Sequence, residues 1–466
     1  MRAPALLAGL GLLGLGLALA GAPGCGWLRG PDVVLLTIDT LRVDHVGAFS
    51  PDSPAATPAM DALAADGVVY TQAWSPISVT GPAFVTLMTG QEPGTHGVVM
   101  NLFRGGPALS ADAVTLAERL AEQGYETGAF VSGFTLRRTL GLNQGFQRYD
   151  TPPQGEKRRR GDLTARAAMG WLEQRPWNKR VLLWWHSFDA HGPLDPYQEQ
   201  VPASADWARE PALLGHLPTY QQVDGITAPD FYAARYAAAV EFADAQVGQL
   251  VAALKQAGRY EHALIVLVAD HGESFTEREL WFDHGTHASA EQLHVPLIIK
   301  YPRGKGAGTR EDALVALADI APTLLHRLDL QPLPQADGRP LGQVARTQVT
   351  GESSHCKGEA VMRCRPVGPA GKELALRSAE ATLLRSTTEG GVEWTHYDRR
   401  ADSRERSPLP AGAADATWQA TLDALHAARL ALGLAMPEAE AGAPMDAEQA
   451  AEREALEALG YLEGEE

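Results

Sequence analysis

Acidic residues stand directly behind three apolar runs of this sequence. Asp39, Asp189 and the adjacent pair Asp270-His271 each follow one such run. Because the carboxyl ends of parallel strands form one edge of a sheet, we expect these residues to converge although they are far apart in sequence. Carboxylate and imidazole groups together bind divalent cations. The pattern predicts a cation site, although Asp270-His271 taken alone would also suit a turn and a helix cap.

A threonine beside a short predicted helix could supply a nucleophile. The helix is predicted over Pro82–Thr89, with Pro82 at its first position, where a missing N–H has no cost. Thr80 would then lie at the amino end, beneath free backbone N–H groups and the positive end of the helix dipole. A cation beside it would lower the pKa of the hydroxyl and activate it for attack on an ester. Read alone, Thr80 would be a helix cap, so its role depends on which groups lie beside it.

The elements that must position these groups alternate between strand-like and helix-like patterns. Continuous apolar strands separated by helices indicate a mostly parallel sheet that is covered on both faces. The predicted strands are Val33–Ile38, Thr127–Ser132, Val181–Phe188, Ala263–Ala269 and Val295–Tyr301, and further helices are predicted at Ala113–Gln123, Leu163–Glu173 and Phe231–Gln256. We therefore predict an α/β fold with a large, mostly parallel sheet sandwiched by helices.

Beyond about Glu373 the pattern changes to short alternating segments, which predict a small C-terminal antiparallel sheet followed by a helix. These elements are Leu374–Arg377, Ala381–Ser386, Val392–Tyr397 and a helix at Thr417–Leu432. The chain thus divides into a leader at 1–25, a catalytic α/β domain at 32–370, a small α+β subdomain at 371–434 and an acidic tail at 435–466.

Much of the net charge of −17 lies in the tail. Between Pro437 and Glu466, ten acidic residues against one basic residue give −9. The rest of the chain is only mildly acidic, which argues against nucleic acid as a partner.

The first 25 residues differ in composition from the rest of the chain. An uncharged apolar run, Ala3–Ala22, is long enough to span a bilayer and ends in small residues before Cys25. It resembles a bacterial lipoprotein signal, in which Cys25 is acylated; an uncleaved anchor and an ordinary signal peptide are the alternatives. All three place the chain outside the cytoplasm. The first predicts a lipid anchor in the membrane, at the periplasmic or extracellular face of the cell envelope.

Two further cysteines, Cys356 and Cys364, complete the three in the chain. A disulfide between them would close a short loop in an oxidising compartment. The alternative is a pair of free thiols.

Several segments resemble, in order, motifs of the sulfatase family within the alkaline phosphatase superfamily. They are Asp32–Gly47, Thr57–Asp61, Thr80–Gly90, Thr95–Val98, His186–Pro193, Asp270–Glu273, His284-Gly285, Val295–Leu297, Asp319–Leu325 and Leu459–Leu462. Each would be weak alone, whereas the ordered set is specific. The resemblance implies an alkaline phosphatase-like fold and action on sulfate or phosphate esters.

The resemblance also implies a metal centre with a nucleophile. Asp39, Asp270 and His271 match the ligands of a first metal ion. Thr80 occupies the nucleophile position, where the same ion would contact it.

Further matches imply substrate contacts. Asn101 matches a residue that contacts the ester's oxyanion. His191 and His284 match histidines that bind the transferred group, assist the leaving group or hold a second metal ion. His186 matches either a substrate-binding residue or one that supports the other site residues.

Departures from the family pattern narrow the chemistry. Sulfatases carry Cys or Ser, converted to formylglycine, in a Cys/Ser-x-Pro-x-Arg motif, and here Thr80 and Phe84 take the places of the first and last of these residues. Threonine cannot form the formylglycine aldehyde. Thr40 replaces the second of two successive aspartates in calcium-binding sulfatases. One or two divalent ions are expected, with zinc or manganese favoured and calcium as the alternative.

The expected function is hydrolysis of an anionic ester, carried by an envelope glycan or lipid or by another organic group. One alternative is a transferase of the phosphoethanolamine or glycerophosphate type that acts in the envelope. The other is a degenerate sulfatase-like binding protein. The retained acids and histidines argue against the last, because an unused site has no physical reason to keep converging charges.

Overall fold

The computed structural model describes residues 30–101, 108–153, 156–194, 199–278, 281–354, 372–388, 390–409 and 416–435. Several sequence predictions concern residues outside these ranges. They are the leader with Cys25, the pairing of Cys356 with Cys364, and nearly all of the acidic tail. The segment boundaries likewise stay predictions.

Eight strands form a large sheet in the order β4-β3-β5-β1-β6-β7-β2-β8. The strands are β1 (Val33–Ile38), β2 (Val68–Trp74), β3 (Glu126–Val131), β4 (Arg148–Asp150), β5 (Val181–Ser187), β6 (Leu264–Val268), β7 (His294–Lys300) and β8 (Thr309–Ala316). All pairings are parallel except those of β7, which runs antiparallel to β6 and β2. The central strands β1, β5 and β6 are buried along their whole length, which explains their continuous apolar sequences. The predicted α/β fold is confirmed.

The helices of the described chain are α1 (Pro58–Ala65), α2 (Thr80–Thr89), α3 (Pro93–His96), α4 (Leu116–Glu122), α5 (Gly161–Glu173), α6 (Pro229–Gln256), α7 (Ala290–Leu293), α8 (Ile320–Arg327) and α9 (Ala416–Ala435). The 28-residue α6 is much longer than the strands it connects. Among the helices that the structure describes, none has both the length and the hydrophobicity needed to cross a membrane.

Four strands form the predicted small antiparallel sheet, in the order β12-β11-β10-β9. They are β9 (Val349–Glu352), β10 (Leu374–Arg377), β11 (Ala381–Thr388) and β12 (Gly391–Asp398). Strand β9 was not predicted from the sequence. This strand connects the small sheet to the segment before α2, since the Ser78 N–H donates to the Glu352 carbonyl over 3.3 Å. Arg429 of α9 also donates to the Glu352 carboxylate, over 2.7 Å.

The large sheet has two ends, which are defined by the direction of its central strands. The carboxyl edge is the end at which β1, β5 and β6 finish, and the amino edge is the end at which these strands begin. The strands β1, β5 and β6 are parallel and in register, so residues that follow them lie side by side at the carboxyl edge.

Candidate active site

Three side chains converge at the carboxyl edge, behind the neighbouring strands β1 and β6. One ligand atom each of Asp39, Asp270 and His271 can be chosen so that all lie within 4.8 Å of one another. His271 Nε2 is 3.4 Å from Asp270 Oδ2 and 3.8 Å from Asp39 Oδ1. The other ring nitrogen, Nδ1, lies 2.8 Å from the Gly272 carbonyl oxygen and donates to it. The lone pair of Nε2 therefore faces the two carboxylates, as a metal ligand's would.

The charges of this cluster are poorly compensated by the protein. Within the described residues, Asp39 Oδ1 and Asp270 Oδ2 are buried without a hydrogen-bond partner. Burial raises the pKa of Asp39 well above its usual value; the Thr80 hydroxyl opposes this shift and the charge of Glu273 adds to it. Burial, assisted by Asp39, raises the pKa of Asp270 to about 7. A divalent cation would offset the cost of burying two carboxylates, so the residues present fit the predicted ion.

Thr80 lies beside this cluster. Its hydroxyl is close enough to Asp39 to lower the pKa of that carboxyl group. The side chain is fully buried, and its oxygen makes no hydrogen bond of ordinary geometry to any described residue. The structure corrects one detail, because α2 begins at Thr80 and Pro82 is therefore its third residue. Val79, which precedes the helix, is extended and supplies no side-chain cap.

Asn101 caps the start of α2 from outside the helix. Its Oδ1 accepts a hydrogen bond from the Gly81 N–H over 2.7 Å. Its Nδ2 is buried and has no hydrogen-bond partner among the residues described. The amide group is thus held through its Oδ1 by Gly81, the residue after Thr80. Its Nδ2 can donate a hydrogen bond to an oxygen of an ester bound beside Thr80.

Thr40, in the turn that follows β1, has a left-handed backbone conformation with φ of 55°. Its N–H donates to Asp270 Oδ1 over 3.2 Å, and its hydroxyl donates to the Asp39 carbonyl over 2.7 Å. Tyr236 of α6 donates its hydroxyl to the Thr40 carbonyl over 2.6 Å. A β-branched residue at positive φ is strained, and these three hydrogen bonds stabilise the strained conformation. The Thr40 hydroxyl therefore stabilises the backbone of this turn. The hydrogen bond from Tyr236 was not predicted from the sequence.

His186 lies on the far side of Asp39. Its Nε2 is 3.3 Å from Asp39 Oδ2, and its Nδ1 accepts the Ser132 N–H over 3.4 Å. Burial lowers the pKa of His186 to about 3, with the charge of Asp189 opposing the shift. Both ring nitrogens have protein partners, which favours the interpretation that His186 supports Asp39. Its predicted contact with substrate stays a prediction.

Two further histidines extend the cluster away from the carboxylates. The ring centroid of His284 lies 4.6 Å from that of His271 and 4.8 Å from that of His191. The Nδ1 of His191 donates to the Gly192 carbonyl over 2.6 Å, and its ring stacks on Phe188. The structure thus brings together the two histidines that were predicted to be catalytic.

Glu273 orients His284 and was not singled out from the sequence. Its carboxylate oxygens are 3.2 and 3.3 Å from His284 Nδ1, so the Nε2 of that ring points away from the carboxylate. Burial raises the pKa of Glu273 well above its usual value and lowers that of His284 to about 3. In the sequence, its place at the end of the Asp270–Glu273 motif could have indicated a role for Glu273 in the site.

The model of the sulfatase family matches residues 31–330. That match covers more than half of the chain. The chain belongs to the sulfatase family.

Relatives of this sulfatase-family chain align over different lengths. Bovine arylsulfatase A is 38% identical over 116 residues, which make up 24% of this chain and 22% of that protein. The aligned stretch is thus well under a third of arylsulfatase A. An ulvan-active sulfatase from Formosa agariphila is 24% identical over 426 residues, covering 84% of this chain and 80% of the relative.

Solved structures share the fold of the chain. The phosphonate monoester hydrolase of Agrobacterium radiobacter superposes with a TM-score of 0.65 and 22% identity, over 87% of this chain and 96% of the hydrolase. BT4656, solved in complex with its substrate D-glucosamine-2-N,6-O-disulfate, gives a TM-score of 0.64 and 18% identity, over 89% of this chain and all of that one. At these identities the likeness establishes the alkaline phosphatase-like fold alone.

Proposed function

We propose that the chain is a cation-dependent hydrolase of phosphate or sulfate esters that uses Thr80 as its nucleophile and no formylglycine. One observation carries the proposal. The buried Thr80 hydroxyl lies beside Asp39, whose carboxylate forms a cluster with Asp270 and His271. A hydroxyl with no structural hydrogen bond among the described residues is suited to a chemical role.

The residues that would hold the cation are Asp39, Asp270, His271 and the Thr80 oxygen. A bound divalent ion supplies two effects there: it lowers the pKa of a hydroxyl, and it neutralises charge on the ester oxygens. Two carboxylates with an imidazole suit zinc or manganese, whereas calcium prefers an all-oxygen site. Thr40 replaces the second aspartate of calcium-binding sulfatases and has no carboxylate to offer calcium. Its hydroxyl donates to the backbone.

The proposed reaction has two displacements. The Thr80 hydroxyl releases its proton to solvent, its oxygen attacks the phosphorus or sulfur atom, and the bond to the alcohol leaving group breaks in line with the attack. Asn101 donates from Nδ2 to a non-bridging oxygen, while the first turn of α2 adds its dipole. The Nε2 of His284, held by Glu273, or that of His191 takes up a proton from solvent and passes it to the leaving oxygen. Water then displaces the Thr80 oxygen and regenerates the hydroxyl.

Phosphorus esters are the first class to test. Phe84, which takes the place of the arginine in the formylglycine motif, is buried with its ring 5.1 Å from the His186 ring. It therefore offers no guanidinium to the aldehyde chemistry of sulfatases. The fold is shared to the same extent by a phosphonate monoester hydrolase and by a protein solved with a disulfated glucosamine, so both ester classes are assayed.

The chain is also proposed to be exported and acylated at Cys25, as its leader indicates. Its substrate would then be an anionic ester at the periplasmic or extracellular face of the cell envelope.

The test uses the full chain loaded with zinc, manganese or calcium and assayed on p-nitrophenyl phosphate, bis(p-nitrophenyl) phosphate and p-nitrophenyl sulfate. Thr80→Ala should abolish hydrolysis of whichever ester is cleaved, and Thr80→Ser should keep part of it. Thr89→Ala is the matched control. It removes a buried hydroxyl from the same helix that donates to the Val85 carbonyl and accepts the Gln91 N–H, so activity should persist. Wild-type rates in Thr80→Ala with every ion would overturn the proposal.

A further inference from the structure

The amino edge of the large sheet carries an exposed aromatic side chain next to basic ones. The loop between α5 and β5 contains Trp177, which is 61% exposed, followed by the exposed Lys179. Arg180 comes next, with its guanidinium 4.4 Å from the ring centroid of Tyr125. A single exposed apolar residue is ordinary on a soluble protein. Trp177 matters because its loop lies beside the point at which the chain enters the fold.

The chain enters the fold beside this loop. Gly30, the first described residue, lies against Arg180, whose Cδ would be 3.6 Å from a Cβ built on the glycine. Gly30 is only five positions after Cys25. At about 3.6 Å per residue at full extension, an acyl group on Cys25 would be tethered within about 18 Å of Gly30. A tether this short holds the amino edge close to the membrane.

Exposed lysines favour the same face. Seven lysines are present in the chain, and three exposed ones, Lys179, Lys255 and Lys305, lie in segments at the amino edge. Of the acidic residues nearby, Glu122 and Glu126 form ion pairs with arginines over 3.0 and 2.9 Å, whereas Glu173 and Glu261 are exposed. Lysine and arginine near a membrane surface are attracted to anionic lipid, and tryptophan prefers the level of the headgroups.

We propose that the amino edge, with Trp177 and Lys179 at its surface, rests on an anionic membrane surface when Cys25 is acylated. The tryptophan ring would enter the headgroup region, and the lysines would contact lipid phosphates. The proposal depends on the predicted acylation of Cys25.

The orientation has a consequence for the substrate. Asp39 follows β1 at the opposite end of the sheet, and the six residues of β1 span about 20 Å at roughly 3.3 Å each. The site would therefore open away from the bilayer that carries the anchor. On the proposed function, this favours an ester on a soluble molecule or on a glycan beyond the membrane, and it disfavours the headgroups of lipids in the same leaflet.

The experiment measures which end of the acylated protein meets lipid. In a background with Cys356→Ser and Cys364→Ser, a fluorophore is attached at Asn178→Cys or at Ala212→Cys. Both sites are exposed; Asn178 lies in the Trp177 loop, whereas Ala212 lies in the segment that leads from the carboxyl end of β5 to α6. The proteins are reconstituted on phosphatidylcholine vesicles containing phosphatidylglycerol, with and without a headgroup-level nitroxide lipid.

We expect the nitroxide to quench the label at position 178 several-fold more than the label at position 212. Trp177→Ala combined with Lys179→Ala should reduce the quenching at 178. Lys157→Ala, which removes a lysine outside the amino edge, should leave it unchanged. Equal quenching at both labels, stronger quenching at 212, or failure of the acylated chain to bind vesicles would overturn the orientation.

Hydrolysis of p-nitrophenyl esters by the same vesicles separates the two proposals. Activity that depends on Thr80, without the expected quenching, would overturn the orientation and leave the proposed function standing. The expected quenching without any hydrolysis would uphold the orientation and count against the proposed function.

Discussion

The two ends of the central strands differ in how completely their buried carboxylates are hydrogen-bonded. At the amino edge, Asp32 just before β1 accepts the Val181 N–H over 2.9 Å and pairs with Arg259 over 3.1 Å. Arg259 also donates to the carbonyls of Lys179 and Pro176. At the carboxyl edge, Asp39 and Asp270 are equally buried, yet each retains an oxygen without a hydrogen-bond partner among the described residues.

This difference separates a structural charge from a functional one. A buried carboxylate that is paired and hydrogen-bonded stabilises the connection between strands, whereas one with an unsatisfied oxygen destabilises the protein until a ligand arrives. The carboxyl edge also has the strained Thr40 and the hydroxyl of Thr80, both of which lie beside these carboxylates. Burial alone does not distinguish Asp32 from Asp39 and Asp270; the completeness of their hydrogen bonding does.

The largest expected effect is on catalysis at the carboxyl edge. Thr80→Ala removes the proposed nucleophile, so kcat/KM should fall on the order of 10⁴-fold or more. The free energy of unfolding should change little, because the hydroxyl makes no hydrogen bond of ordinary geometry in the part of the chain described. Steady-state kinetics and urea denaturation measure the two quantities. A large loss of stability together with an unchanged rate would place Thr80 with the structural residues.

The next prediction compares the carboxylates at the two ends. In protein stripped of metal, Asp32→Ala should lower the free energy of unfolding by about 3–5 kcal/mol, because it leaves the buried Arg259 unpaired. Asp270→Asn should instead raise it, because a neutral amide relieves both the burial cost and the repulsion from Asp39. Urea denaturation after chelation measures both variants. Equal destabilisation by the two substitutions would remove the distinction between the ends.

Asn101→Ala tests the donor side of the site. Loss of one donor to a developing negative charge should lower kcat by about 10²–10³-fold. Asn101→Asp is a useful companion, because it retains an acceptor for the Gly81 N–H and lacks the Nδ2 donor. If the companion variant keeps full activity, Asn101 acts only as a cap of α2.

The smallest expected effect concerns the orientation of His284. Glu273→Gln should lower kcat by about 10–100-fold, the usual cost of losing an orienting partner. The loss should be greater for esters of alkyl alcohols than for p-nitrophenyl esters, since a poor leaving group needs the proton more. A loss that is the same for all leaving groups would assign Glu273 a purely structural role.

Much of the fold followed from local pattern. Fully buried central strands such as Val181–Ser187 and long helices such as Pro229–Gln256 give strong signals, because burial on both faces or a sustained helical period marks them. The direction of β7 and the pairing of β9 were not predictable, since they depend on contacts distant in sequence. The start of α2 was misplaced because Asn101, twenty residues away, supplies the cap.

The site was predictable to the extent that parallel strands impose convergence. Asp39, Asp270 and His271 follow strands that proved to be neighbours, and the structure brings them together. The supporting roles of Tyr236 and Glu273 could not be read from the sequence. A helix tyrosine and a glutamate are usually unremarkable, and only the three-dimensional contacts to Thr40 and His284 reveal their function.

The most direct test of the account is to trap the covalent intermediate on Thr80. The metal-loaded enzyme is quenched in acid during turnover of a p-nitrophenyl ester, digested and analysed by tandem mass spectrometry. The account predicts a phosphoryl or sulfuryl group on the peptide that contains Thr80, with fragment ions that assign it to that residue, and none in Thr80→Ala. Modification of a different residue, or turnover by Thr80→Ala at the wild-type rate, would contradict it.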